Sequence, residues 1–325
     1  MPPVILAVAE VADGVPTKLS TEVATLARGL AEASGGQAVG LVVDAAPEGA
    51  SQALAAYLPR VVAVTAPAVA SEVWAPHSVA EVGRLVDEGV THVLVGATAD
   101  GRDLAGTLSG LLGWGLLANA SGATWAGDSP EVEASVLGAK AITRSILTGS
   151  TGIVTVRLNA VEAAPAAGTG TVEPRAAADA PATPAASVLE RVAESGAEAS
   201  LEEARIVVVG GRGVGSPEGF GIVQDLAAEL GGVVGATRAS VDAGWIPYAR
   251  QIGQTGKVVK PALYLGLGVS GAMQHRVGMQ SADAIVAVNR DPDAPIGEVA
   301  DLFVVGDLFA IGPALLAELR ARRGG

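Results

Sequence analysis

The chain has 325 residues, no cysteine, and 34 acidic against 21 basic side chains for a formal net charge of -13. That balance argues against nucleic acid and against a bare anionic membrane as partners. The missing thiols exclude disulfides, thiolate metal sites, iron–sulfur clusters and a cysteine nucleophile, so any redox agent must be bound from outside. Half of the residues are apolar yet only 3% are aromatic, the mix of a parallel α/β fold whose strands are covered on both faces, and the length predicts about two domains.

The opening MPPVILAVAE lacks a basic start and reaches Glu10 after a strand-length apolar run, so no secretory signal is expected and a cytoplasmic location is the simple reading. A strand is predicted over 4–9. A helix follows, beginning near Ser20, with Leu19, Val23, Leu26 and Leu30 on one face and a stop at Gly35-Gly36. Apolar strands over 38–43, 61–64 and 92–95, with a helical pattern at 80–88, continue an alternation that predicts a parallel sheet wound with helices. His77 and His92 stand alone, not at metal spacing. Asp100-Gly101-Arg102-Asp103 reads as a solvated loop capping the next helix.

The stretch 104–127 carries no charge, but its glycines and the stripe Leu104, Leu108, Leu111, Leu112 and Leu116 predict a buried helix followed by a strand at 123–125, not a membrane span. Strands over 132–137, 141–147 and 153–158 are expected to close or extend the sheet. From 160 to 203 the composition shifts to Ala, Pro, Gly and Glu, too poor in bulky apolar residues to pack as a core. The expected organisation is therefore an N-terminal domain over 1–160, an Ala/Pro-rich linker over 161–200 with residues 160–185 loosely held and a short helix at 188–201, and a second domain over 201–325.

A strand at 205–209 leads into GGRGVGS, with Ser216 expected as N-cap, Pro217 at N1 and the helix ending at Gly231-Gly232. A second strand-and-glycine turn is predicted at 262–271, where Gly266, Gly268 and Gly271 have G-x-G-x-x-G spacing. Ser270 and Gly271 would then open a helix whose amides suit a phosphate. A strand over 284–288 ends in Asn289, where nucleotide-binding units place the group that takes ribose or adenine. Gln274 and His275 are one turn into the helix. GATRASVDAGW and QIGQTGK supply two further polar, glycine-punctuated loops.

In order, GGRG, TRASVDAG, QIGQTG, SGAMQH, VNRDP and VGDLF resemble the alpha subunit of the electron-transfer flavoprotein, over about 206–319; the N-terminal half resembles it more loosely. The resemblance implies an α/β fold with a Rossmann-like C-terminal domain that holds one non-covalent FAD. It implies a beta subunit as heterodimer partner, carrying AMP or a second FAD, flavoprotein dehydrogenases as electron donors, a quinone-linked oxidoreductase as acceptor, and no metabolite chemistry of its own. For the cofactor it implies a contact from Arg212, a flavin-side pair in Thr237 and Arg238, and a loop of Gln251, Ile252, Gly253, Gln254 and Thr255 along the ring. It further implies a pyrophosphate and pyrimidine-edge segment of Ser270, Gly271, Ala272, Met273, Gln274 and His275, with His275 a donor toward O2. Adenosine-end contacts fall to Asn289, Asp307 and Leu308. The glycine pattern alone leaves an NAD-linked dehydrogenase open, and Ser270 with His275 leaves a hydrolase open. The first lacks a catalytic pair and the usual acid at Asn289, the second an acid to orient the histidine. A bifurcating flavoprotein is a third alternative.

Overall fold

The computed structural model describes residues 2–136, 141–178, 186, 188–189, 201–202 and 204–323. The chain divides into two compact units, residues 1–193 and 194–325.

In the first unit a seven-stranded parallel sheet runs in the order Thr171–Ala176, Arg60–Thr65, Gln37–Asp44, Val4–Ala9, His92–Gly96, Gly152–Val156, Leu116–Ala120. Its central strands are buried on both faces, as continuous Val, Ile and Leu runs demand. Helix Lys18–Ser34 covers one face. Thr17 caps it, accepting from the Ser20 N–H at 3.2 Å, Gly35 ends it at φ 67°, and Leu19, Val23, Leu26 and Leu30 bury its apolar side. The opposite face packs against Trp74–Asp87 and Ala99–Leu112 through Ala75, Val82, Leu85, Leu104 and Leu108.

Several expectations are corrected here. The helix within 104–127 stops at Leu112, because Gly113 turns left-handed at φ 66°; Leu116 is in the strand that follows, and Leu111 is exposed. Asp100 to Asp103 are inside that helix's first turn, not in a loop, and the cap is Thr98, whose Oγ1 accepts from the Gly101 N–H at 2.9 Å. Of the later strands, only Gly152–Val156 joins the main sheet. Ser129–Val136 and Ala141–Ile146 pair antiparallel with each other, and Gly122–Ala126 completes a separate three-stranded sheet.

The linker expected over 161–200 is not loose where it is described. Residues 171–176 form the edge strand beside Arg60–Thr65, with Pro174 opposite Ala63. Arg175 reaches both Glu88 (2.6 Å) and Glu173 (2.7 Å), and Arg60 reaches Glu173 (2.7 Å). Ahead of this strand, the Ala164 carbonyl accepts from Arg28 Nη2 at 2.8 Å. The short helix expected at 188–201 lies outside the described residues, save Val188, Leu189 and Leu201. Among the described residues no helix is long and apolar enough to cross a membrane.

The second unit is a six-stranded parallel sheet in the order Gln251–Ile252, Val233–Thr237, Ile206–Gly210, Leu263–Leu267, Ile285–Asn289, Leu302–Val305. In chain order this is 3-2-1-4-5-6, the doubly wound arrangement, whose order reverses between Ile206–Gly210 and Leu263–Leu267. Phe220–Leu230 and the long helix from Leu308 pack on one face with Phe220, Val223, Leu226 and Leu316. Phe220–Leu230 starts after the expected cap. Ser216 Oγ accepts from the Gly219 N–H at 3.3 Å in the turn ahead of it, and Gly231 ends it at φ 65°.

Candidate functional site

At the carboxyl ends of these strands, on both sides of the reversal point, the two glycine loops meet. Gly211 donates to the Leu267 carbonyl (2.9 Å) and Gly213 to the Gly268 carbonyl (3.0 Å). The approach is close enough that a Cβ on Gly213 would stand 2.7 Å from the Gly268 Cα. Gly268 itself has φ +63° and Gly271 φ +77°, backbone that L side chains rarely adopt. Asn289 anchors the second loop: its Nδ2 donates to the Val269 carbonyl at 2.8 Å, and its Oδ1 accepts from the Asp291 N–H at 3.0 Å.

Beyond Gly271 the helix is a single turn, Met273–Arg276, and it opens at Ala272, so Ser270 and Gly271 are in the loop and not at a helix start. Among the described residues, no carbonyl or side chain accepts from the amides of Ser270, Gly271 and Ala272. Three successive unpaired N–H groups in a glycine loop make a concave donor set of the kind that takes an anionic oxygen.

Ser270 and Ala272 of this loop border a cleft of about 520 Å³, whose other lining residues are Arg212, Thr237, Arg238, Ala239, Asp242, Gln251, Ile252, Gly253, Gln254, Thr255, Gln274 and His275. Twelve of these positions belong to the set expected from the sequence. Gly271, Met273, Asn289, Asp307 and Leu308 do not line it: Gly271 packs on Ile296, Asp307 Oδ1 accepts from the Phe309 N–H at 3.0 Å to start the last helix, and Leu308 is buried in the core. Ala239 and Asp242 were not foreseen; both are exposed on the short helix Arg238–Asp242, whose formation the loop sequence does not reveal.

One wall is the 251–255 loop. Gln251 is buried, and its Nε2 donates to Thr255 Oγ1 at 3.0 Å; the Tyr248 hydroxyl donates to the Thr255 carbonyl at 2.5 Å. Gln254 N–H bonds the Gln274 carbonyl at 2.7 Å, which ties this wall to the other. Thr237 Oγ1 stands 3.3 Å from Ser240 Oγ. Arg238 projects at the mouth, 67% exposed, with its Nε 3.2 Å from Asp242 Oδ2.

His275 differs from the expectation of a side chain free to reach a ligand. It is 6% exposed, with Nε2 2.8 Å from Tyr264 Oη and Nδ1 3.0 Å from the Ile252 carbonyl. Burial lowers its pKa to about 4, against a smaller opposing effect of the Ile252 carbonyl, so the imidazole is neutral at pH 7. With Nε2 engaged by Tyr264 there is no Ser270–His275 pair for hydrolysis.

The cleft fits FAD. Unpaired loop amides and Arg212 suit its diphosphate, and the Ile252–Gly253 part of the 251–255 wall gives an apolar surface for a flat ring. Its volume lies in the range of cofactor pockets, roughly 300–1,000 Å³.

Comparison with known proteins agrees. The Electron transfer flavoprotein FAD-binding domain family matches residues 200–280, and the Electron transfer flavoprotein domain family matches residues 5–182. The chain is 42% identical to the Electron transfer flavoprotein subunit alpha of Mycobacterium tuberculosis, over 98% of this chain and 99% of that one. It is 34% identical to the subunit of that name from Bacillus subtilis, over 97% of each. A mitochondrial alpha subunit from Arabidopsis thaliana is 54% identical over 38% of this chain and 34% of its own length. These matches cover both units and nearly every residue, and on that ground the chain belongs to the electron transfer flavoprotein alpha-subunit family, its second unit an FAD-binding domain that serves electron transfer.

Proposed function

We propose that the chain is the FAD-carrying subunit of a heterodimeric electron carrier. In this reading it holds one non-covalent FAD and pairs with a beta subunit that carries AMP or a second FAD. It takes electrons from flavoprotein dehydrogenases, such as the acyl-CoA dehydrogenases of fatty-acid oxidation, and passes them to a quinone-linked oxidoreductase. It has no metabolite substrate of its own. The observation that carries the reading is the cleft at the strand-order reversal, where Arg212, Ser270 and Ala272 of the unpaired-amide loop and the 251–255 loop line one space.

FAD, when bound, supplies a ring that accepts and releases electrons. The chain's part is to bind and orient it. The 270–272 amides and Arg212 would hold the diphosphate, the Thr237 and Thr255 hydroxyls would meet the polar edge of the ring, and the exposed Arg238 would set a positive charge at the mouth. The exposed mouth suits electron exchange with another protein and also suits cover by a second chain.

The test is co-expression with the partner gene product. A yellow heterodimer releasing one FAD per alpha chain, bleached by a reduced acyl-CoA dehydrogenase and inert toward NADH, is the expected result. A stable, fully flavin-loaded monomer would contradict the heterodimer, and bleaching by NADH would select a pyridine-nucleotide-linked, bifurcating type.

A further inference from the structure

After Pro247 the chain makes a single tight turn, Tyr248–Arg250, and then straightens into the edge strand Gln251–Ile252. That strand is fastened to the sheet beside Ala236 and Thr237. Beyond it the chain folds back on itself: Lys257 N–H donates to the Gln251 carbonyl (2.7 Å) and Gly253 N–H to the Lys257 carbonyl (3.1 Å). Gly256 N–H donates to the Gly253 carbonyl at 3.0 Å, which closes a four-residue turn with Gln254 and Thr255 in the middle. No side chain fits at Gly256, where a Cβ would run into the Gln251 carbonyl.

Thr255 is exposed in this turn, where a threonine side chain has more than one open rotamer. Two bonds from the preceding segment remove that freedom. The Tyr248 hydroxyl donates to the Thr255 carbonyl at 2.5 Å, and Gln251 Nε2 donates to Thr255 Oγ1 at 3.0 Å. Gln251 is buried in the edge strand, so its amide is a fixed anchor. An amide nitrogen only donates; Oγ1 therefore accepts, and the threonine keeps its own hydrogen for the cleft that it lines. Tyr248 acts from outside that cleft. It is 65% exposed and does not line the cleft, so what it brings to the loop is the bond from its hydroxyl and little apolar burial.

We propose that Tyr248 is a positioning residue of the cleft: its hydroxyl clamps the Thr255 carbonyl while Gln251 holds Oγ1, which aims the Thr255 O–H at the space where a bound ring would lie. The effect on a flavin rests on the FAD reading above; the clamp itself does not. Tyr248→Phe keeps the ring and removes the bond, and Tyr248→Ala removes both.

The test compares the wild type with these two variants, each as the full-length chain with its beta subunit, with and without FAD. Hydrogen exchange at the Gly256 and Lys257 amides reads the turn without any cofactor, while the FAD dissociation rate and the flavin reduction potential read the site. In both variants the two amides should exchange roughly two- to tenfold faster, the fold-equivalent of one ordinary hydrogen bond. FAD should leave faster by a similar factor, and the potential should fall because a donor to the reduced ring is loosened. Wild-type behaviour of Tyr248→Phe overturns the proposal whatever Tyr248→Ala does, since the hydroxyl would then do nothing. Faster exchange with unchanged dissociation and potential overturns it as well, because the clamp would not reach the cleft. A wild type that takes up no FAD overturns the cofactor reading instead, and exchange in the FAD-free protein still decides the clamp.

Discussion

Gly213 donates its N–H to the carbonyl of Gly268 at 3.0 Å, joining the loop after the first strand of the second unit to the loop after its fourth. Neither position has room for a side chain: a Cβ on Gly268 would stand 2.8 Å from the Gly213 Cα, and its φ is +63°. Gly231 has a similar φ of +65°, but open space around it. Gly231→Ala should therefore cost only the left-handed backbone term, about 1–2 kcal/mol, whereas Gly268→Ala should cost more and also weaken FAD binding. Chemical denaturation paired with FAD titration checks both; equal losses in the two variants would show that the contact contributes nothing.

Arg238 and Asp242 form an exposed i,i+4 pair, worth about 0.3–0.5 kcal/mol at most. Arg238→Ala should leave stability nearly unchanged. If the guanidinium lies beside the flavin ring, its loss should lower the reduction potential. A unit charge about 4 Å away interacts by about 1 kcal/mol in water, equivalent to roughly 40 mV for a one-electron couple, and Asp242 offsets part of that. Spectroelectrochemistry of the loaded heterodimer reads the shift; an unchanged couple would reduce Arg238 to a surface ion-pair partner.

The edge strand Thr171–Ala176 is held by charge. Hydrogen bonds from Arg175 keep the Glu88 and Glu173 carboxyls below the usual glutamate range, and Arg60 adds to this. Depressed carboxylates contribute stability above their unfolded pKa and lose it as pH falls through the folded value, so this contribution should fade below about pH 4.5. Arg175→Ala should remove it, costing about 1–2 kcal/mol at neutral pH because the guanidinium is only 14% exposed and contacts both acids. Urea unfolding at pH 7 and pH 4 tests this; an undiminished pH slope in the variant would refute it.

His92 and His275 titrate in a separate window. Burial lowers each to about 4 from an ordinary 6.5. Since the unfolded chain binds these protons first, the stability they contribute is complete above pH 6.5 and declines as pH falls toward 4. His92→Gln should flatten the loss between pH 6.5 and 4.5 without touching the cleft, since His92 is in the first unit against Trp125, ring centroids 5.4 Å apart. Thermal unfolding across that range would detect it, and an identical pH profile in wild type and variant would contradict it.

Much of this was legible because the signals are local. The stops at Gly35 and Gly231 follow from glycine's access to positive φ, and the central strands from apolar runs of Val, Ile and Leu. What escaped reading depends on partners far away in sequence. TVEPRA looks like linker by composition, yet an edge strand tolerates Pro174, and the charges that pin it come from Arg60 and Glu88. Leu116 continues a helical stripe on paper, but the left-handed turn at Gly113 ends the helix first. Twelve cleft positions were named from motif resemblance, while Tyr264 reads as one more apolar residue in LYLGLG; only the fold brings its hydroxyl to His275.

The central claim is that FAD lies in the second unit with its diphosphate on the loop amides. Hydrogen exchange of the heterodimer with and without FAD measures those amides directly. Ser270, Gly271 and Ala272 should exchange readily without FAD and slow sharply when it binds, with protection extending to the 251–255 loop. FAD binding that leaves those three amides exchanging at their FAD-free rate would contradict it.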